Sequence, residues 1–360
     1  MPIKEIELVS FRNHAHYTQT FTPSVNVLWG PNGAGKTSIL EGIHLLSIGR
    51  SFKTPRTRDL LRKGDPFFQV RGRFEDRGSD MEVQWNQMEN GTKRILLNGK
   101  AVARTRDIVG KNPVVVLSPE EEIIVRGSPA DRRKYFNRVF SVLSSSYLDT
   151  LSTYQRILRQ RNAFLAGAGD RTEPGKSELD AWDHSLSRVG MSLWRERQIW
   201  LDKFAAELDR SRSRFFPEAS LSCTSLPVPV NSPEAYQEQL ISNRNRDLLL
   251  GRTTFGPHRD QIEFEWFGES LREFGSQGQQ KLVLTLLKIT EFELIRTETE
   301  KTPTFLLDDL FAKLDFDRSR RIVALLNSGI QTIITTTDLM DMEHHGLEIK
   351  PGEINTVKLG

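Results

Sequence analysis

Cysteine is nearly absent from this chain. The single residue, Cys223, excludes an internal disulfide and suits a reducing compartment. Long hydrophobic runs are missing too. No stretch of about 18 apolar residues occurs, so no membrane-spanning helix is expected. The opening MPIKEIELVSF lacks the basic-then-apolar shape of a secretion signal, and a cytoplasmic location is the expectation. Charge of one sign is also scarce: 50 lysines and arginines face 47 acids, a net of +3. Any nucleic-acid surface must therefore come from local clustering. His258 has no partner at metal-ligand spacing, and no serine–histidine–acid or cysteine–histidine set stands out. There is no zinc finger, RNP-like aromatic motif, helix-turn-helix pattern, internal repeat or low-complexity segment. What remains is a chain of 360 residues, 37% hydrophobic and 27% charged. That is ordinary for a soluble globular protein and long enough for two domains, or one with a large insertion.

One motif is clear. Residues 25–37 read VNVLWGPNGAGKT, and Gly30, Gly35, Lys36 and Thr37 fit G-x-x-x-x-G-K-[ST]. The loop Gly30, Pro31, Asn32, Gly33, Ala34, Gly35 would wrap phosphates with backbone N–H groups. Lys36 would reach the β/γ-phosphates of a nucleoside triphosphate, and Thr37 would hold Mg²⁺. A short apolar strand precedes the loop, and a helix with Ile39, Leu40, Ile43 and Leu46 on one face follows, ending near Gly49. A matching acidic strand lies far away, at TFLLDD. There Asp308 would complete the Mg²⁺ shell and Asp309 would orient or activate water. A further buried strand, TIITTT, is expected alongside, bringing Thr336 or Thr337 near the γ-phosphate. A simple kinase or GTPase keeps these parts closer, so something large interrupts the nucleotide-binding fold.

The interruption has two parts. Residues 67–102 alternate as antiparallel strands, with an Asn98–Gly99 hairpin turn. After VVVL, a cap at Ser128, Pro129 and Asp131 opens a helical region running to about Phe216. A break at GAGDRTEPGK makes it a hairpin with arms of about 30–35 residues, roughly 50 Å at 1.5 Å per residue. The sequence SLPVPVNSPEAY reads as a surface connection.

Basic residues cluster at Arg50–Lys63, which includes Lys53, Arg56, Arg58 and Arg62, and at Arg126–Arg138, which includes Arg132, Arg133 and Lys134. The arm adds Arg156, Arg159 and Arg161. Such runs are usually solvated faces. Several of them beside a nucleotide site favour a surface for the DNA backbone, with Arg132, Arg133, Lys134, Arg56 and Arg58 as contacts, read by structure rather than sequence. Arg12 and Asn13, after the first strand, are placed to approach a nucleotide or to form a plain loop.

Taken together, SFRNH, GPNGAGKTSILEGI, GRSFKTPR, LSPEE, GSPADRRKYFNR, GPHRD, GSQGQQK and LLDDLFAKLD run the length of the chain. The set resembles the RecF family of DNA replication and repair proteins, within the ABC-type ATPases that include the SMC proteins. The resemblance implies an α/β fold: an ABC-type P-loop ATPase head with an antiparallel β subdomain, plus a mostly helical second lobe bearing a short hairpin arm. The expected division is 1–117 with 300–360 for the ATPase lobe, and 118–299 for the helical lobe. It gives GSQGQQK the role of the ABC signature. Ser276, Gly278 and Gln279, at a helix N-terminus, would bind the γ-phosphate held by another subunit's P-loop, making an ATP-dependent head-to-tail homodimer.

Asp309, where ABC ATPases commonly carry Glu, implies a weak, slow, DNA-stimulated ATPase. Lys313 stands where the family more often has an acid, although Asp315 remains. The implied work is recombinational repair and replication restart within the DNA-damage and SOS responses, at the nucleoid and away from membranes. The implied substrates and partners are single-stranded, duplex and gapped DNA, with RecO and RecR helping to load a recombinase. The competing readings are an ABC-type ATPase of a mobile-element or phage-defence system, a transporter ATPase subunit and a metabolic P-loop kinase. The first would usually add a nuclease-like carboxylate-rich segment, which is not seen. The second would carry its signature nearer the P-loop and no helical arm, and a kinase would lack the signature.

Overall fold

The computed structural model describes residues 2–76, 78–167, 176–226, 228, 230–309, 329–340 and 354–360. These fall into two compact units, Met1–Ile123 with Ser276–Gly360, and Ile124–Gly275. The helix Gln277–Thr299 thus belongs to the first unit, whereas the sequence reading placed it in the helical lobe. The reason is packing. It lies against the strand Val114–Leu117 and buries Lys288, which pairs with Glu121 and, at 2.9 Å, with Glu291.

The first unit holds two sheets. One is wholly parallel, in the order Ile354–Lys358, Val25–Trp29, Thr332–Thr336, Thr304–Asp308, Val114–Leu117. Its three inner strands and Val114–Leu117 are almost continuously apolar or threonine, as strands covered on both faces must be. The other is antiparallel, in the order His14–Thr20, Ile3–Phe11, Phe67–Asp76, Ser79–Met88, Lys93–Leu97, Lys100–Ala101. Asn98 and Gly99 both adopt positive φ, 51° and 75°, and close the expected hairpin.

In Ile3–Phe11 the register shifts between Ile3 and Glu5, and Ser10 takes φ 51°. These irregularities let Ile3, Ile6, Leu8 and Phe11 all face the core despite uneven spacing. The helix Lys36–Ile48 packs on both sheets, so its apolar residues are buried all round. Gln331 ties the sheets together: it accepts from the Ile3 N–H and donates to the Ile3 carbonyl, both at 2.7 Å.

The second unit is helical, with a small sheet of Leu221–Ser225, Ile262–Trp266 and Glu269–Ser270. The predicted cap forms: the Ser128 N–H donates to Asp131 at 3.0 Å and opens the helix Pro129–Leu143. The two limbs are not equal. Ser144, in extended conformation, ends the first helix, so the limb continues as Ser145–Gly167, while the return limb Lys176–Phe215 runs 40 residues. At 1.5 Å per residue the long helix spans about 60 Å. Most of the break at 167–176, and residues 227 and 229 of the surface connection, lie outside the described residues.

Two arginines assigned to basic surfaces, Arg132 and Arg161, prove to be internal, and a third, Arg133, is half-buried. Arg132 is 1% exposed and donates to the Ile262 carbonyl and Glu263. Arg133 is half-buried and donates to the Asp260 carbonyl. Arg161 is fully buried between Asp183 and Asp247, at 2.8 and 2.7 Å. Sequence periodicity cannot separate a buried, paired arginine from a solvated one when the carboxylates come from distant segments. Lys134, Arg56 and Arg58 are exposed.

Candidate nucleotide-binding site

The P-loop is built where the strand Val25–Trp29 meets the helix Lys36–Ile48. Gly30 has φ 147°, and a Cβ there would lie 2.1 Å from the Leu359 carbonyl oxygen. Gly35 has φ 92°, and a Cβ would strike His14 Nε2 at 2.4 Å. Both positions therefore require glycine. Pro31, Asn32 and Gly33 lie exposed at the crest, and the Ala34 N–H turns back to the Pro31 carbonyl at 3.3 Å. Lys36 is largely buried, its Nζ donating to the Gly30 and Pro31 carbonyls at 2.6 and 2.9 Å. Burial lowers its pKa, while the charges of Asp309 and Asp308 work against that fall.

The acidic strand arrives beside this helix. Thr37 Oγ1 donates to Asp308 Oδ1 at 2.8 Å, joining residues 271 positions apart in sequence. Asp308 is 4% exposed, and burial raises its pKa above the usual carboxylate value despite hydrogen bonds from Thr335 and Thr37. Asp309 sits in the left-handed region, φ 50°, with its N–H donating to Thr335 Oγ1 at 3.0 Å. Lys36, Thr37, Asp308 and Asp309 are thus gathered as the motif reading required.

A divalent cation fits this donor set. A buried carboxylate and a hydroxyl already face each other, and Glu120 Oε2 and Ser118 Oγ are buried without a hydrogen-bond partner. Magnesium needs only one or two protein oxygens when phosphates and waters supply the rest. Among the described residues no cluster of three or more His, Cys, Asp or Glu forms a separate metal cage.

Three contributors lie outside the P-loop and the acid pair; Asn13 was expected near the nucleotide, whereas His14 and Glu120 were not legible from the motifs. Asn13 and His14 come from the tight hairpin between Ile3–Phe11 and His14–Thr20. Asn13 Nδ2 donates to the Gly33 carbonyl at 2.9 Å and its Oδ1 accepts from Ser38 at 3.2 Å, so it braces the loop from behind. His14 Nε2 lies 3.1 Å from the Gly35 carbonyl, and burial holds its pKa below the usual histidine value. The third contributor, Glu120, pairs with Lys53 at 3.3 Å, and both charges act on Asp308.

The remaining expectations fare differently. Arg12 is committed to Glu41, with contacts of 2.8 and 2.6 Å, and to the Asp59 carbonyl. It anchors the hairpin to the P-loop helix. Thr335 serves the acid pair, donating to Asp308 at 2.8 Å, while Thr336, expected with Thr337 near the γ-phosphate, donates to the Asp338 carbonyl at 2.8 Å. Ser276 caps the helix Gln277–Thr299: its Oγ accepts the Gln279 N–H at 3.3 Å, and Gln279 Oε1 accepts the Ser276 N–H at 2.7 Å. Gly278 lies in the first turn of that helix.

Residues 2–348 match the model of the RecF/RecN/SMC N-terminal domain. The DNA replication and repair protein RecF of Salinibacter ruber is 33% identical over 374 residues, covering 98% of this chain and 91% of that protein. The chain belongs to the RecF family. The solved structure of the recombination mediator protein RecF-ATPrS in the RecFOR pathway superposes with a TM-score of 0.87 at 30% identity. It covers 94% of this chain and 93% of that one. An SMC head bound to the C-winged helix domain of ScpA gives a TM-score of 0.53 at 16% identity, over 95% and 91% of the two chains. It shares the ABC-type ATPase head fold with this RecF-family chain. The family variation at Lys313 and Asp315 lies outside the described residues. Among the described residues no helix is long and apolar enough to cross a membrane.

Proposed function

We propose that this chain is an ATP-switched DNA-binding protein of recombinational repair and replication restart. One observation carries the nucleotide half of the reading: Thr37 and Asp308, supplied by opposite ends of the chain, meet at 2.8 Å beside Lys36. Family membership supports the DNA half, since the similar proteins are named for DNA replication and repair and for the RecFOR pathway.

In this reading Lys36 leaves the Gly30 and Pro31 carbonyls for the β/γ-phosphates of ATP. Thr37 and Asp308 hold Mg²⁺, which as a Lewis acid offsets charge on the phosphoryl oxygens. Asp309 orients the attacking water. Its side chain is one methylene shorter than Glu, which suits slow, timer-like hydrolysis. Ser276, Gly278 and Gln279 receive the γ-phosphate of a second copy at a helix N-terminus, where N–H groups and the dipole favour an anion. ATP thereby closes a head-to-tail dimer on DNA at gaps or junctions, and hydrolysis releases it, in concert with RecO and RecR. Exposed Arg56, Arg58 and Lys134 remain available for backbone contacts, whereas Arg132 is withdrawn into the helical unit.

Filter binding on duplex, single-stranded and gapped DNA, with and without ATP, tests the reading. DNA retention is expected to need ATP and to vanish in Lys36→Ala, while Asp309→Asn retains DNA but turns over far more slowly. A Lys36→Ala protein with normal ATP affinity, dimerisation and retention sinks the assignment.

A further inference from the structure

Residues 50–63 carry six basic side chains and one acid. Residues 93–111 carry six more, Lys93, Arg94, Lys100, Arg104, Arg106 and Lys111, with Asp107 as the only acid. The whole chain nets only +3, so two segments with six bases against one acid each stand out locally. The fold joins them at one end, where Arg50 follows the P-loop helix. Gly49 ends the P-loop helix at φ 73°, and a Cβ there would lie 2.0 Å from Thr105 Cγ2, so the turn into Arg50 packs flush against Thr105–Asp107.

Lys93 is fixed at this seam. Its Nζ donates to Thr105 Oγ1 at 2.9 Å and stands 5.2 Å from the ring centroid of the buried Trp85. Partial burial, and then the positive charge of Arg50, lower its pKa. Among the described residues neither Arg50 nor Lys93 has a carboxylate partner. Asp107 accepts the Arg104 N–H at 2.9 Å. Most basic runs are solvated faces whose charges spread apart. Here one lysine is held by an indole and a hydroxyl beside an arginine, with no acid between them. Like charges held close repel, and an anion relieves that repulsion.

We propose that Arg50 and Lys93, beside Thr105, form a docking surface for the phosphate backbone of DNA. This rests on the DNA-binding reading given above and locates the contact in the ATPase unit. Contacts of this kind neutralise phosphates and carry no sequence information. The 13-residue helix between the P-loop and Gly49 keeps the surface about 20 Å from the nucleotide site, so changes here leave ATP binding intact.

The test is the salt dependence of DNA affinity, measured on full-length protein with ATP, using one duplex and one single-stranded oligonucleotide. Each phosphate contact contributes a log–log slope of about −0.9 on duplex and about −0.7 on single strands. Arg50→Glu with Lys93→Glu is expected to flatten the duplex slope by about 2 with ATP affinity unchanged. Arg50→Gln with Lys93→Gln, which adds no new charge beside Trp85, should flatten it similarly. Lys93→Arg should keep the wild-type slope, as should a charge-matched Arg210→Glu in the helical unit. If the wild type binds DNA and both double variants keep its slope, the surface assignment falls alone. If the wild type binds no DNA at any salt, the functional reading falls and takes the surface with it. Loss of RecR or RecO binding with an unchanged DNA slope overturns the proposal in favour of an acidic protein partner.

Discussion

Thr335 holds Asp308 through one hydroxyl, donating to Oδ1 at 2.8 Å. The same oxygen accepts the Asp309 N–H at 3.0 Å. One side chain on the central strand Thr332–Thr336 therefore fixes both acids: the Asp308 carboxylate through its lone pair, Asp309 through its backbone. The second contact matters because Asp309 is a non-glycine residue at φ 50°, a conformation costing about 1–2 kcal/mol. An acceptor placed for its N–H helps to hold it there.

Thr335→Val keeps the shape and removes the hydroxyl. Losing a hydrogen bond to a charged group costs about 1.5–3 kcal/mol, so turnover should fall about ten- to hundredfold if the acids are mispositioned. Nucleotide affinity should change only a few-fold, because Lys36 and the loop are untouched, and Thr335→Ser should restore turnover. Phosphate release and nucleotide titration on the three proteins provide the check. Wild-type turnover in the valine variant would mean that the acids hold their own positions.

This threonine also marks the limit of what the sequence showed. The P-loop, the acid pair, the hairpin at Asn98–Gly99 and the cap at Ser128 were legible because each depends on local chemistry: glycine at positive φ, a side chain reaching three residues on, a buried strand ending in acid. Thr335 was missed because three threonines in a row alternate across the strand, and only the register with Thr304–Asp308 decides which one faces the acids. Arg132 and Arg161 were misread for a related reason. Their partners, Glu263 and Asp247, lie 131 and 86 residues away. Arg50 and Lys93 show the converse, since nothing in either segment announces the other.

His258 makes the helical unit sensitive to acid. Its Nε2 faces the Thr253 carbonyl at 3.0 Å, which can only accept, so Nδ1 accepts from the Tyr154 hydroxyl at 2.7 Å. Both bonds suit the neutral ring. Burial lowers the pKa to about 4 against the opposing Thr253 hydrogen bond, with Arg259 and Arg133 adding to the fall and Asp247 resisting it. The unfolded chain therefore binds more protons between about pH 6.5 and 4, and stability is lost as pH falls through that window, by up to about 3 kcal/mol. Asp308 and Asp260, whose pKa values burial raises, act in the opposite sense, so the informative quantity is a difference between proteins. Chemical denaturation of wild type and His258→Gln from pH 4.5 to 7.5 should show the gap between them narrowing on acidification. Parallel curves would exclude this histidine as the source.

The cap at Ser276 separates a purely structural motif from a shared site. Its hydroxyl accepts the Gln279 N–H, yet the residue is exposed and keeps its own O–H to donate. In the proposed two-fold dimer each site combines one copy's P-loop with the other copy's helix N-terminus. Lys36→Ala and Ser276→Arg should each be inactive alone. In a mixed dimer one site collects both lesions, and the other pairs an intact Lys36 with an intact Ser276. Random pairing makes about half the dimers mixed, so about a quarter of all sites are whole. ATPase activity should recover toward that ceiling on mixing, with light scattering reporting dimer formation in parallel. Should both sites have to be intact before either fires, scattering would show mixed dimers without recovered turnover, which still requires the interface. A Ser276→Arg protein that dimerises and hydrolyses ATP like wild type would reduce this serine to the first residue of a helix, with no part in the nucleotide site.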